Sequence, residues 1–474
     1  MNMNSIKKTK IVATIGPVSA QDDVMPQLMK AGMNVTRLNF SHGDFAEHQR
    51  SVDMIRKHSK KLNIPVAILQ DLSGPKIRIG EFYQERVMLV AGDEFVLTTE
   101  PCVGDEHRAF INYAQLPKEV KPGEPILLDD GKKRMEVVRV KGNEIFCKII
   151  VGGETKGRRG VNLPGTDIQM SCLTVKDLKD LTFGVKNEVD FMALSFVRKE
   201  SDVHELRAIL KKKKCTAQII VKIETPQAIE NLEAILQAAD GAMIARGDLA
   251  VEMPMEQVPV LQKQIIKRCR QLGKPVIVAT QMLESMIHSP VATRAEVNDV
   301  ANAILDGTDA VMLSEETTLG EYPVEAVSTM TRIALHTEAF YPHRHILKHN
   351  ELSLNPTVDS VTNAVVNTAQ EIAATVIIAL SESGSTARMV SRHRPAQFIL
   401  VLTPNDITLR RMALSFGCYA HSVKSFQSIL EVVKQSGKIA IENGFAKKGD
   451  TSVIVAGVPF GCTGGTNLML VETV

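Results

Sequence analysis

Short apolar runs alternate with amphipathic segments along most of the chain. Eight of these runs have the length and β-branched content typical of strands, and helical spacing of apolar residues follows most of them. Repeated strand–helix units predict a parallel sheet, and eight units predict a closed (β/α)8 barrel. The predicted strands are residues 10–16, 35–40, 66–72, 190–196, 219–224, 241–247, 275–280 and 309–315.

The pattern changes between the third and fourth of these strands. Short segments that alternate apolar and polar residues replace the helices, and turns rich in Gly, Pro, Asp and Asn separate them. We expect a small β-barrel domain inserted into the TIM barrel, hinged over its mouth as a lid that excludes water. Its predicted strands are residues 86–90, 94–99, 125–129, 135–140 and 144–151.

A separate α/β domain is predicted at the end of the chain, with strands at residues 376–380, 398–403, 452–457 and 468–474. The polar segment before it contains His343, His345 and His349, which lack a clear ligand arrangement, so we interpret it as an exposed linker. The predicted divisions are residues 1–71 and 171–345 for the two parts of the barrel, 72–170 for the lid and 346–474 for the C-terminal domain.

Polar side chains recur at the carboxyl ends of the predicted barrel strands. In TIM barrels this face carries the active site. One such residue is compatible with an ordinary solvated strand end, but recurrence on strand after strand favours an active site. The residues are Arg37, Asn39, Asp71, Ser195, Lys222, Glu224, Arg246, Asp248, Thr280, Gln281, Ser314 and Glu316.

The most informative of these residues are Lys222, Glu224 and Asp248. Lys222 and Glu224 are two positions apart, so their side chains leave the strand on the same side. Asp248 ends the next strand, and neighbouring strands lie about 4.8 Å apart. Glu224 and Asp248 are therefore placed to share a Mg²⁺ or Mn²⁺ ion, because these ions prefer oxygen ligands. The alternative is that Lys222 simply pairs with a local carboxylate.

Two other strand ends offer groups for phosphate and proton chemistry. A guanidinium at Arg37 can bind phosphate with two hydrogen bonds, while Asn39 and Ser41 offer oxygens to a cation. The Thr280 hydroxyl can pass a proton to a nearby carbanion.

A phosphate site is also predicted in the C-terminal domain. A loop of hydroxyls and a glycine lies between a strand and a helix, where free backbone N–H groups can cradle phosphate, although taken alone the loop favours an ordinary capped helix start. A second glycine-rich loop, residues 461–467, is expected at the same edge. Nearby Arg388, Arg392 and Arg394 either meet a second phosphate or line a solvated helix. The predicted cradle comprises Ser381, Ser383, Gly384, Ser385, Thr386, Gly464 and Gly465.

Composition narrows the class of protein. The 474 residues are 44% hydrophobic and 23% charged with a net charge of +2, which predicts several globular domains and no nucleic-acid or membrane partner. Seven scattered cysteines without a Cys-x-x-Cys pair favour a reducing compartment. Since neither a signal peptide nor a bilayer-length apolar run is visible, we expect a cytoplasmic protein.

Several long motifs resemble those of pyruvate kinases, and the resemblance covers nearly the whole chain. They are residues 10–17, 37–43, 74–78, 160–165, 222–224, 245–249, 279–286 and 290–300. The resemblance implies phosphoryl transfer from phosphoenolpyruvate to ADP, which gives pyruvate and ATP in the last step of glycolysis. It also implies a homotetramer and a phosphorylated allosteric effector on the C-terminal domain.

The resemblance assigns roles that agree with the chemistry of the residues. It implies that Lys222 neutralises the transferring phosphoryl and the developing enolate, that Thr280 belongs to the proton relay, and that Arg37 binds the phosphoryl group. It places the divalent ion on Glu224 and Asp248. The implied substrate site adds Ser195, Ala245, Arg246 and Gly247, and the implied nucleotide site comprises Asn39, His42, Arg78 and Arg159.

The chain departs from the common family pattern at two positions. Lys76 replaces an acidic residue of a motif that usually supports K⁺ binding, so a K⁺ site is an open expectation. Glu315 stands where a small residue is more common, and the sequence gives no account of it. The K⁺ ligands implied by the resemblance are Asn39, Ser41, Asp71 and Leu72.

Two other function classes fit part of this pattern. A Mg²⁺-dependent aldolase or decarboxylase acting on a pyruvate-like enolate would use the same barrel, acid pair and lysine, but it needs no nucleotide. A non-catalytic metabolite sensor would rely on the C-terminal domain, and the presence of Lys222, Glu224, Asp248 and Thr280 argues against it.

Overall fold

The structure, a computed structural model, describes residues 6–166, 168–343, 355–460 and 465–474. Its first elements are three strands and two helices that open the barrel. Helix α2 starts at a capping box, in which Asp44 and Glu47 exchange side-chain-to-backbone hydrogen bonds. The bounds are β1 (Lys10–Thr14), α1 (Val24–Ala31), β2 (Val35–Asn39), α2 (Phe45–Leu62) and β3 (Ala67–Asp71).

The inserted domain follows β3. Its elements are β4 (Arg86–Leu89), β5 (Glu94–Thr98), β6 (Arg108–Phe110), α3 (Leu116–Glu119), β7 (Pro125–Leu128), β8 (Lys133–Lys141), β9 (Glu144–Val151), β10 (Gly153–Lys156) and β11 (Val161–Asn162). A six-stranded sheet has the order β11-β7-β8-β9-β5-β6, and β10 pairs with β4. The strands β6, β10 and β11 were not predicted, because two to four residues are too short to show alternation. Inward-facing residues such as Phe95, Leu97 and Ile126 give this domain its own core.

The barrel then resumes and closes. Its remaining elements are α4 (Val175–Lys186), β12 (Phe191–Leu194), α5 (Glu200–Lys212), β13 (Gln218–Ile223), α6 (Pro226–Glu230), α7 (Leu232–Ala238), β14 (Gly241–Ala245), α8 (Arg246–Glu252), α9 (Val258–Gln271), β15 (Val276–Ala279), α10 (Arg294–Leu305), β16 (Ala310–Leu313), α11 (Glu315–Thr318) and α12 (Pro323–Glu338). The strand order is β1-β16-β15-β14-β13-β12-β3-β2, and all neighbours are parallel. The predicted closed (β/α)8 barrel is therefore confirmed.

The C-terminal domain has the predicted α/β architecture, with five strands where four were predicted. Its elements are α13 (Pro356–Glu371), β17 (Val376–Leu380), α14 (Ser385–Ser391), β18 (Phe398–Thr403), α15 (Asp406–Arg411), β19 (Cys418–Ser422), α16 (Ile429–Glu442), β20 (Thr451–Gly457) and β21 (Thr466–Thr473). The order is β19-β18-β17-β20-β21, with β20 and β21 antiparallel. The edge strand β19 was not predicted, because its sequence mixes polar and apolar residues without a period. Short 3₁₀ turns lie at Met255–Gln257, Glu284–Ile287 and Met412–Leu414.

Buried arginines join the C-terminal domain to the barrel. Arg394 is 1% exposed, and its Nη2 donates to Asp309 Oδ2 and to the Gly307 carbonyl, both at 2.7 Å. Arg392 pairs with Asp359 at 2.5 Å and donates to the Gln271 carbonyl. Neither arginine lines a solvated helix or faces the predicted phosphate loop, which corrects both sequence interpretations of them.

The predicted domain boundaries stay predictions. The boundary at residues 345 and 346 lies outside the described residues, as do His345 and His349 of the predicted linker. His343 is described, and its Nδ1 lies 2.7 Å from the Arg394 carbonyl oxygen. Within the described ranges, none of the helices is both long enough and apolar enough to cross a membrane.

Candidate active site

Lys222 lies at the centre of a charged cluster at the carboxyl ends of β3 and β13. Its Nζ is 2.6 Å from Glu224 Oε1 and 3.7 Å from Asp71 Oδ1, and it donates to Ser195 Oγ at 2.9 Å. These three partners are each no more than 2% exposed. The alternative interpretation, that Lys222 pairs with local carboxylates, is therefore correct for this arrangement, but the pairs are buried and not surface decoration.

The opposite charges in this cluster keep each other ionised despite burial. Burial alone would lower the pKa of Lys222, but the carboxylates of Asp71, Glu224 and Asp248 outweigh it, so the pKa of this lysine is raised. Burial would raise the pKa of Asp71, but Lys222 and Arg37 outweigh burial and lower that pKa. The ammonium and the Asp71 carboxylate are therefore both charged at neutral pH.

Arg37 extends the cluster to β2. Its Nε donates to Asp71 Oδ2 at 2.7 Å, and its Nη1 donates to Thr14 Oγ1 at 3.1 Å. Two further oxygens of the expected K⁺ site accept hydrogen bonds: the Ser41 N–H donates to Asn39 Oδ1 and the Ser195 hydroxyl donates to the Leu72 carbonyl.

Thr280 ends β15 in a strained conformation. Its φ is +70° and that of Gln281 is +54°, which is the left-handed region that a β-branched residue seldom occupies. The Thr280 hydroxyl donates to the Ala279 carbonyl at 2.6 Å and accepts from the Gly247 N–H at 2.7 Å. The backbone of β15 thus turns the Thr280 side chain towards the start of α8.

The side chain of Arg246 is held by the barrel wall. Its guanidinium donates to Asp299 Oδ1 and to the Thr280 carbonyl, both at 2.7 Å, and to Met282 Sδ at 2.9 Å. The first turn of α8 therefore presents its backbone and Asp248, while Arg246 fixes the helix to β15.

The chemistry of Glu224 and Asp248 fits a divalent cation. Glu224 Oε2 accepts from the Phe196 N–H at 2.8 Å, and Oε1 faces Lys222. Burial raises the pKa of Glu224, and the nearby Asp248 carboxylate adds to the effect while Lys222 opposes it. A divalent cation between the two carboxylates would relieve this repulsion. Across the described residues, no group of three or more His, Cys, Asp or Glu is arranged to hold a metal.

A cavity of about 730 Å³ opens beside this cluster. It is lined by Arg37, Asn39 and His42, and by residues of the β1 and β16 ends. Burial lowers the pKa of His42, and the charges of Lys76, Arg78 and Arg37 lower it further, so these cations lie around one imidazole. The other predicted nucleotide residue, Arg159, pairs through its Nε with Asp129 at 3.4 Å.

Family comparisons agree with this arrangement. Residues 6–327 match the family "Pyruvate kinase, barrel domain", and residues 359–472 match "Pyruvate kinase, alpha/beta domain". This chain belongs to the pyruvate kinase family. The resemblance inferred from the sequence motifs is thereby confirmed.

Individual pyruvate kinases are similar over nearly the whole length of this chain. The pyruvate kinase of Geobacillus stearothermophilus is 45% identical over 472 residues, which cover 99% of this chain and 80% of that protein. That of Clostridium perfringens is 41% identical over 474 residues, covering 99% of this chain and all of the relative. The crystal structure of a pyruvate kinase from Cryptosporidium parvum superposes with a TM-score of 0.94 at 33% identity, covering 100% of this chain and 97% of that one.

A second cleft lies beside this site, and the sequence analysis gave no role to its residues Asp130 and Glu252. This cleft of about 120 Å³ between the inserted domain and the barrel is lined by Lys76, Asp130, Asn162, Asp248 and Glu252. The Asp-Gly turn at Asp130 was interpreted only as a hairpin turn. No sequence pattern marks Asp130 as a residue of this cleft. Its backbone does, because the consecutive residues Asp129 and Asp130 have φ of +53° and +54°. Glu315 and Arg50 line the larger cavity, and no motif pointed to Arg50.

The two loops of the predicted phosphate cradle meet in the C-terminal domain. Ser381, Ser383, Ser385, Thr386 and Gly465 line a cavity of about 50 Å³. Helix α14 begins after Gly384, whose φ is +80°. The Thr386 and Thr466 hydroxyl oxygens are 2.8 Å apart, which links the helix start to β21. Gly464 lies outside the described residues.

Proposed function

We propose that this protein transfers the phosphoryl group of phosphoenolpyruvate to ADP and releases pyruvate and ATP. The observation that carries the proposal is the position of Lys222, a charged ammonium held by Asp71, Glu224 and Ser195 at the carboxyl end of the barrel. Phosphoryl transfer depends mainly on positioning and charge neutralisation, and a preorganised cation supplies both.

The substrate is proposed to lie between Arg37 and the start of α8. Arg37 and Lys222 bind its phosphoryl group, and Ser195 orients Lys222 through their hydrogen bond. The backbone from Ala245 to Asp248 faces the substrate carboxylate, because Arg246 and Gly247 are fixed to Thr280.

Glu224 and Asp248 are proposed to hold Mg²⁺ or Mn²⁺. The bound ion would neutralise charge on the substrate oxygens during transfer. Lys222 stabilises the negative charge that remains on the enolate oxygen. The Thr280 hydroxyl, held between the Ala279 carbonyl and the Gly247 N–H, relays the proton that the methylene carbon needs to become a methyl group.

ADP is proposed to occupy the cavity of about 730 Å³ next to Arg37. Asn39 and His42 contribute from the barrel, and Arg78 and Arg159 contribute from the inserted domain. The domain would act as the lid that excludes water during transfer. An aldolase or decarboxylase that acts on a pyruvate-like enolate binds no nucleotide. It would therefore not need the part of the nucleotide site that the inserted domain supplies.

A coupled assay of pyruvate formation tests the reaction. Pyruvate should form from phosphoenolpyruvate only when ADP and Mg²⁺ or Mn²⁺ are both supplied, and ATP should appear in equal amount. Pyruvate release without ADP would favour a hydrolase, and carbon–carbon bond cleavage or formation without nucleotide would favour the aldolase or decarboxylase alternative.

We further propose that the enzyme does not require K⁺. Lys76 acts electrostatically on both Asp71 and His42, so its ammonium lies near the carboxylate of the expected K⁺ site. The oxygens of Asn39 and Leu72 at that site already accept hydrogen bonds. The nearby Lys76 ammonium would supply the charge that K⁺ supplies elsewhere in the family.

The C-terminal cavity is proposed to bind a phosphorylated effector. Ser381, Ser383, Ser385 and Thr386 supply hydroxyls, and Lys424 lines the same cavity and supplies a positive charge. The effector would shift an equilibrium between arrangements of the enzyme only if it binds one of them more tightly. By family resemblance we also propose a cytoplasmic homotetramer.

A further inference from the structure

The inserted domain rests on α8, the short helix with Asp248 in its first turn. A Cβ atom on Gly131, in the turn between β7 and β8, would be 3.5 Å from Val251 Cγ1. At the next position of α8, the Asn162 side-chain amide of β11 donates to Glu252 Oε1 at 2.7 Å. Two separate parts of the inserted domain therefore meet the last turn of one barrel helix.

Glu252 connects this contact to the proposed metal site. It lies four residues after Asp248, so both side chains are on the same face of α8, and both line the cleft of about 120 Å³. Burial raises the pKa of Glu252 to about 7, an effect that the Asn162 hydrogen bond opposes and the charges of Asp248 and Glu224 increase.

Asn162 connects the same contact to the nucleotide arginines. Gly160, two residues earlier, forms an antiparallel bridge with Arg78. Arg159 precedes Gly160, so Arg78, Arg159 and Asn162 belong to one small part of the inserted domain. The place where Asn162 contacts the barrel therefore sets the position of both arginines.

We propose that Glu252 and Asn162 form a clamp that seats the inserted domain on the barrel and sets the distance between the nucleotide arginines and Asp248. Glu252 is a positioning residue, because it acts through Asn162 and α8. The inference rests on the phosphoryl transfer proposed above, in which both parts of the site must act on one pair of substrates.

The clamp differs from the other contacts near this connection in a way that makes it testable. Gln227 donates to the Thr166 carbonyl at 3.3 Å, and Arg198 donates to the Ile168 carbonyl at 2.5 Å. Those bonds end on backbone atoms of the connecting segment. The Asn162–Glu252 bond joins two side chains, so it can be broken and restored with reversed polarity by substitution.

The test compares Asn162→Asp, Glu252→Gln and the double variant. Assayed at about pH 9, above the raised pKa of Glu252, Asn162→Asp sets two ionised carboxylates against each other and should raise KM for ADP about tenfold, with a smaller change in KM for phosphoenolpyruvate. Glu252→Gln keeps an acceptor oxygen and should stay close to the unmodified enzyme. In the double variant the carboxylate at 162 accepts from the amide at 252, and KM for ADP should return to within about threefold.

Hydrogen–deuterium exchange gives a readout independent of activity: α8 and β11 should exchange faster in Asn162→Asp and regain protection in the double variant. The matched control is Asn143→Asp with Glu100→Gln, which alters an amide–carboxylate bond of 3.4 Å inside the inserted domain and should leave KM for ADP unchanged. Thermal melting checks that each variant is folded.

Failure of the clamp and failure of the proposed function are distinguishable. An unmodified protein that makes no pyruvate from phosphoenolpyruvate and ADP would overturn the function. An active unmodified enzyme whose Asn162→Asp variant keeps KM for ADP within about twofold would overturn the clamp alone. A double variant whose KM for ADP is no lower than that of Asn162→Asp would also overturn the clamp. A restored hydrogen bond between residues 162 and 252 must return the inserted domain to its position on the barrel.

Discussion

The barrel site and the C-terminal cradle are both polar, but they balance charge differently. At the barrel mouth, Lys222 is buried among Asp71, Glu224 and Ser195, and each charge is compensated by a neighbour. The C-terminal cavity is lined by hydroxyls, apolar side chains and one residue of each charge, Glu382 and Lys424, and it is far smaller, at about 50 Å³ against about 730 Å³. Removing one member of a buried charge cluster leaves others unpaired, whereas a hydroxyl can be lost with little electrostatic effect. The effect of a substitution on activity should therefore be much larger at the barrel site than at the C-terminal cavity.

The largest effect is expected for Lys222→Met. It removes the ammonium that stabilises developing charge and leaves the buried Glu224 carboxylate without its cationic partner, while Asp71 keeps only Arg37. We expect kcat to fall by at least about 10²-fold with KM for phosphoenolpyruvate little changed. Steady-state kinetics measure the split. The matched control is Lys176→Met, which removes a lysine that is 55% exposed and paired with Asp180. A Lys222→Met variant with near-normal turnover would contradict the comparison.

Thr280→Val should have a smaller and more selective effect. The substitution keeps the β-branched shape at a strained φ of +70° but removes the hydroxyl. Exchange of solvent hydrogen into the methyl group of pyruvate should slow by about 10²-fold, and metal affinity should change little. Deuterium incorporation followed by NMR measures the exchange, and Thr280→Ser should retain it. Loss of metal affinity with unchanged exchange would remove Thr280 from proton transfer.

Much of this barrel site was predictable because its geometry follows from strand periodicity. Two-residue spacing put Lys222 and Glu224 on one side of β13, and the parallel barrel brings other strand ends to the same face. The contact of Asp71 with Lys222 was not predictable, because β12 lies between β3 and β13 and the contact depends on how far the two side chains reach across it. The left-handed turn at Thr280 gave no sequence signal, since threonine disfavours that conformation. Asn162 and Glu252 are 90 residues apart, and no local pattern relates them.

The substitution Lys76→Glu tests whether a lysine side chain compensates the Asp71 charge at the barrel mouth in place of K⁺. The unmodified enzyme should keep its activity when a bulky organic cation replaces K⁺, because the Lys76 ammonium acts on Asp71. The variant should lose about tenfold in kcat/KM without K⁺ and recover when K⁺ is added. Initial rates across a K⁺ titration measure this. Strong K⁺ activation of the unmodified enzyme would show that Lys76 does not replace the ion.

The smallest effect on basal activity is expected in the cradle, for Ser383→Asp with Thr386→Asp. The added carboxylates should abolish the response to ribose 5-phosphate, AMP or fructose 1,6-bisphosphate, whichever activates the unmodified enzyme, and leave activity without effector unchanged. Ser383→Asp alone is the safer variant, because Thr386 is only 7% exposed and bonded to Thr466. Activation that survives in both variants would place the effector elsewhere. A lack of response to all three ligands in the unmodified enzyme would contradict the effector proposal.

The insertion between β3 and β12 also affects how the chain folds. These strands are neighbours in the barrel, with Leu69 opposite Phe191, although residues 72–190 separate them. Joining them through an unfolded loop of that length would cost conformational entropy. The inserted domain has its own apolar core, so once it folds it acts as a short tether that holds the two strand ends together. We therefore expect the insertion to form early and the β3–β12 pairing to follow, which makes the lid a folding template as well as a cover.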